Sequence, residues 1–141
     1  MKNRKLFDAL VNARDKYNAE QGYAISIRFM VDCLKIIQND CSDIARESIL
    51  VAERFCARDA TADELTAARV ACWTYLDKMK KKSPATKLDG LRMQAVISAL
   101  YPEPSSDDLL EILTWFVDIF IKVGNYDEIV FEKLKDHFKL D

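Results

Sequence analysis

Apolar residues are densest over 107–123, DDLLEILTWFVDIFIKV, where Leu109, Leu110, Ile112, Leu113, Trp115, Phe116, Val117, Ile119, Phe120, Ile121 and Val123 leave little room for anything else. The polar residues Glu111, Thr114, Asp118 and Lys122 fall three to four apart, on one narrow stripe. A helix that is apolar around most of its circumference needs other elements against most of its sides. The stretch is therefore read as the central post of a helical domain.

The remaining segments supply the cover. Lys5–Ala19 places Leu6, Leu10, Ala13 and Tyr17 on one helical face, with Gln21-Gly22 as its expected stop. Tyr23–Gln38 opens with a strand-like alternation, Ile25-Ser26-Ile27-Arg28-Phe29. Over its full length, however, Arg28, Asp32 and Lys35 align at helical spacing and Ile27, Met30, Val31, Leu34 and Ile37 share the opposite face, which predicts a helix. Ser42–Arg58 buries Ile44, Ala45, Ser48, Val51, Ala52 and Phe55. Thr61–Lys81 opens with a capping box, Thr61-Ala-Asp-Glu64, ahead of a Leu65, Ala68, Cys72, Leu76, Met79 stripe. Ser83-Pro84-Ala85-Thr86 is a break. Lys87–Tyr101 follows as a helix with Leu88, Leu91, Ala95 and Ala99 inward. Pro102 and Pro104 stiffen the linker to Ser105 and Ser106, either of which can cap the central helix. Gly124-Asn125 closes that helix. Asn125, with Glu128 three residues on, begins the last one, which packs through Val130, Phe131, Leu134 and Phe138. The predicted fold class is all-α: a single-domain bundle of about seven helices around a central hydrophobic helix (107–123), spanning 1–141.

Composition agrees with that picture. The chain is 50% hydrophobic and 31% charged, as expected of a compact soluble protein, and its three Gly and three Pro are too few for a turn-rich β fold. A formal net charge of −2 supplies no global field to gather nucleic acid. The start, MKNRKLFDAL, is basic but lacks an unbroken apolar run, so no signal peptide is expected. The 107–123 segment falls short of a membrane span.

Candidate chemistry is sparse. The cysteines at 33, 41, 56 and 72 form no CxxC pair, and Cys33, Cys56 and Cys72 sit within apolar helical patterns. Reduced thiols in a cytoplasmic protein then serve as small hydrophobes. His137, the sole histidine, is expected to meet the C-terminus of the last helix. No phosphate-cradling glycine motif, paired-carboxylate pattern or metal-ligand cluster appears, so no catalytic residue, cofactor or metal is assigned. An enzyme acting through Glu53 or Asp118 is a minor alternative. Lys78, Lys80, Lys81 and Lys82 are read as matching the negative end of their helix dipole. Protein binding needs the least special chemistry. Its candidate surfaces are the acidic sets Asp40, Asp43 and Glu47, and Glu103, Asp107, Asp108 and Glu111, which also suit helix N-termini.

One helical hairpin carries a likeness. Val51-Ala-Glu-Arg-Phe55, Thr61-Ala-Asp-Glu-Leu65, Ala68-Arg69 and Cys72-Trp73 together resemble the all-helical immunity proteins of bacterial polymorphic toxin and contact-dependent growth inhibition systems. Glu53, Arg54 and Trp73 are the matching positions. The resemblance implies a non-enzymatic cytoplasmic protein that binds and blocks a cognate toxin domain, often a nuclease, without itself binding nucleic acid or membrane. A helical adaptor or regulatory subunit is the alternative expectation.

Overall fold

Short polar side chains set where the helices begin. In the computed structural model, which describes residues 3–80, 87–102 and 109–141, Asn3, Asn18 and Ser42 accept hydrogen bonds from the backbone N–H groups of Leu6, Gln21 and Ala45. Each satisfies a donor that the first helical turn leaves free. Thr61 and Glu64 do so reciprocally, at 3.1 Å in each direction, as the capping box predicts. The resulting elements are α1 (Arg4–Lys16), α2 (Ala19–Ile37), a 3₁₀ turn (Gln38–Asp40), α3 (Asp43–Cys56), α4 (Ala62–Lys80), α5 (Lys87–Ser98), α6 (Leu109–Val123) and α7 (Asp127–Phe138). Among the described residues there is no strand.

Side-chain pairs give the directions. Ser48 meets Cys72 and Arg54 meets Glu64, so α3 and α4 run antiparallel. Asp32 meets Lys133 and His137, and Phe29 meets His137 and Phe138, so α2 and α7 are antiparallel as well. Gly22 lies under Leu109 and Phe29 stacks edge-on against Phe116, which makes α2 and α6 parallel. Asn3–Asp127, Lys5–Phe131 and Tyr17–Phe138 align α1 with α7.

The apolar helix α6 is in the core, with Leu109, Leu113, Phe116, Val117, Ile119 and Phe120 buried. It packs chiefly against α5, α1 and α2, whereas α2 touches α1, α3, α5, α6 and α7. The widest set of neighbours thus belongs to the segment that first reads as an alternating strand. Phe29, Met30, Cys33 and Leu34 of α2 are all fully buried.

Several expected boundaries move. Gln21-Gly22 is not a helix end: α1 stops at Lys16, Tyr17 is extended, and Gly22 lies buried inside α2. A Cβ there would stand 2.9 Å from Leu109 Cδ2, so the glycine serves a close helix approach rather than a turn. Asn125 does not cap α7. Tyr126 occupies that position, without a side-chain cap. Leu88 is 42% exposed instead of inward, while Met93, Val96 and Ile97 of the same helix are buried. Met79 and Leu76 hold their predicted inward places. The 83–86 break, the linker from 103 to 106, and Lys81 and Lys82 lie outside the described residues.

Candidate functional site

The N-terminal half of α2 and the C-terminal end of α3 diverge enough to leave a cleft of about 770 Å³, open to solvent and closed at its margins by the α3–α4 turn and Pro102. That volume falls in the range that accommodates a ligand or several side chains of a partner. Its α2 wall repeats at helical spacing: Glu20, Ala24, Ile27 and Arg28 share one face. Phe55 and Cys56 form the opposing wall, and Arg58 stands in the turn. Ile27 is buried and Phe55 half-buried, so the floor is apolar while Glu20, Arg28 and Arg58 are exposed.

The local fold explains how Arg58 comes to be there. After α3, Arg58 N–H donates to the Phe55 carbonyl at 3.1 Å and Asp59 N–H to the Arg54 carbonyl at 2.7 Å. This is the doubly bonded helix stop that places one residue in the left-handed region, normally a glycine. Here φ is 61° at an arginine; α7 ends in a similar way, with φ 55° at Lys139. Burial pushes the Cys56 thiol up to about 11, with Arg28 pulling it down and Glu53 raising it. The thiol is therefore protonated at neutral pH and a poor nucleophile.

None of the described residues predicted for the site lines this cleft. Asp40, Asp43 and Glu47 are exposed around the start of α3, and Asp43 pairs with Arg46 on its own helix. Glu111 is exposed on the first turn of α6, near the N-terminal end of α2. The rise from Gly22 to Ile37 along α2 is about 22 Å, so Glu111 and the Asp40, Asp43 and Glu47 set occupy opposite ends of that helix. Glu103, Asp107 and Asp108 lie outside the described residues. Glu53 pairs with Lys35 of α2, and Arg54 pairs with Glu64 of α4 at 2.8 Å. Both tie helices together. Trp73 is 39% exposed on α4, one turn beyond Val70 at 57%.

His137 stands in the last turn of α7 as expected, but its side chain reaches across to α2. Its Nε2 donates to Asp32 Oδ2 at 2.9 Å, and Lys133 Nζ approaches the same oxygen at 3.1 Å. Burial raises the Asp32 carboxyl, but the hydrogen bonds from His137 and Lys133 outweigh it and hold the group below its ordinary value. The three residues clasp α2 to α7. Sequence spacing placed Asp32 on the polar stripe of α2 but could not supply a partner 105 residues away. That Arg28 and Arg58 line one cleft was missed for the same reason. The one local signal was the absence of glycine at the end of α3.

Cys33, Cys41 and Cys72 are buried free thiols, each held in its protonated form chiefly by burial. Among the described residues no group of His, Cys, Asp and Glu is arranged to hold a metal ion, and no helix is long and apolar enough to cross a membrane. Comparison with protein-family models, with curated proteins and with solved structures finds no match to this chain.

Proposed function

We propose that the protein acts by stoichiometric binding of another protein, and that this partner is a cognate toxin domain which it neutralises in the cytoplasm by covering a working surface. The observation that carries the binding role is the open cleft between α2 and α3. It combines apolar walls with two arginines that have no acidic partner among the described residues, whereas Lys35, Arg54 and Lys133 each pair with an acid of another helix. Uncovered apolar surface beside uncompensated charge is characteristic of a surface completed by a partner. Cys56, the thiol in this cleft, is held protonated, which favours binding over nucleophilic chemistry. The toxin half of the reading rests on the likeness carried by the α3–α4 hairpin.

Co-expression tests it. Cells producing the toxin domain encoded beside this gene should regain growth when the protein is present, and the two purified chains should form a 1:1 complex. An unrelated toxin domain should gain nothing. If the neighbouring product is not toxic, or if the two chains do not associate, this reading fails.

A further inference from the structure

We infer that the α2–α3 cleft receives an acidic, partly apolar segment of the partner protein, its carboxylate meeting Arg28 and Arg58 while its apolar side chain rests on Ala24, Ile27 and Phe55. The inference rests on the protein-binding reading and specifies which surface does the binding and what it recognises.

Charge selects the occupant. Arg14, Arg46, Arg54 and Arg92 each pair with an acid of this chain, and Arg69 stacks on Tyr101 and donates to the Leu100 carbonyl. Arg4, Arg28 and Arg58 have no such partner among the described residues, and of these only Arg28 and Arg58 line the cleft. Glu20, on the same wall as Arg28, lies two turns earlier on α2. That is about 12 Å along the axis, beyond the screening length at physiological salt, so it offsets little of the Arg28 charge. Guanidinium groups pair with carboxylates through two parallel hydrogen bonds, which gives direction as well as attraction. The cleft is open rather than enclosed, so a small ligand would stay half in water, whereas a protein segment brings the rest of its surface to close the open side. Arg58 adds an independent point. Glycine fits its left-handed backbone better, yet the chain carries a long cation there, facing the cleft.

The test uses the purified full chain and the toxin domain, with affinity read by calorimetry. Arg28→Glu/Arg58→Glu should weaken the complex by at least about tenfold, and Asp40→Lys/Glu47→Lys by less than about threefold. Arg58→Gly should weaken it too while raising the melting temperature, a pairing that a purely structural arginine would not produce. A second arm uses 8-anilinonaphthalene-1-sulfonate, an apolar anion. The wild type should bind it with 1:1 fluorescence enhancement, lose it to the toxin domain, and fail to bind it after the double arginine reversal. Full toxin affinity in the double variant, or unchanged dye binding, would overturn the inference. So would a loss confined to Asp40→Lys/Glu47→Lys, which would leave protein binding intact but move it to the acidic end of α3. Absence of any wild-type complex overturns the functional reading, and this inference with it.

Discussion

Two glycines inside helices show how far a single residue's role depends on what lies above it. Gly22 in α2 and Gly90 in α5 each carry the conformational cost of glycine in a helix, roughly 1 kcal/mol relative to alanine. A Cβ on Gly90 would find its nearest neighbour, Leu76 Cδ2, at 4.0 Å, an ordinary contact. On Gly22 it would meet the buried Leu109 at 2.9 Å. Gly90→Ala should therefore stabilise the protein by about 0.5–1 kcal/mol in chemical denaturation. Gly22→Ala should forfeit that gain, because pushing Leu109 out of place costs about 1–3 kcal/mol. Equal stabilisation by the two substitutions would contradict the close approach of α6 to α2. The sequence placed Gly90 inside a helix and Gly22 at a helix stop, and spacing along the chain reveals neither the close approach at Gly22 nor the open space at Gly90.

At the scale of elements, the clasp between α2 and α7 has a definite pH behaviour. Asp32 is held below its ordinary 3.8 by His137 and Lys133 despite partial burial. A depressed carboxyl contributes stability above its unfolded value, and that contribution disappears as the pH falls through the folded value. Asp32→Asn keeps the shape and removes the charge. It should cost about 1 kcal/mol at neutral pH, modest because the aspartate side chain is 42% exposed. Denaturation curves of the two proteins should converge in the acid range, below about pH 4. A constant difference across that range would mean the aspartate acts through packing alone. Helix starts were legible at Ser42 and Thr61, each three residues before the N–H it receives, whereas the equally local Asn18 cap was read through as part of the first helix. The α7 cap was misplaced by one residue, because Tyr126 rather than Asn125 opens the helix, with no side-chain cap at all.

For the whole molecule, α2 carries the arrangement. Phe29 touches Phe116 of α6 together with His137 and Phe138 of α7, all at ring-centroid separations near 6 Å. Phe29→Ala should destabilise the protein by about 3–5 kcal/mol, since it opens a cavity where three helices meet. Phe131→Ala, at a half-buried position on α7, should cost clearly less. Comparable losses from the two would place the centre elsewhere. The chain alone determined the helical class, most helix spans and their inward faces, because these depend on residues three or four apart and on caps within one turn. Its apolar density also pointed to α6, but density measures how much a helix must hide, not how many neighbours do the hiding. The antiparallel and parallel pairings, the Asp32 clasp and the placing of Arg28 and Arg58 on one cleft were decided only by the tertiary structure. Each joins residues remote in sequence, and packing alone determines which of the polar stripes on separate helices end up facing one another.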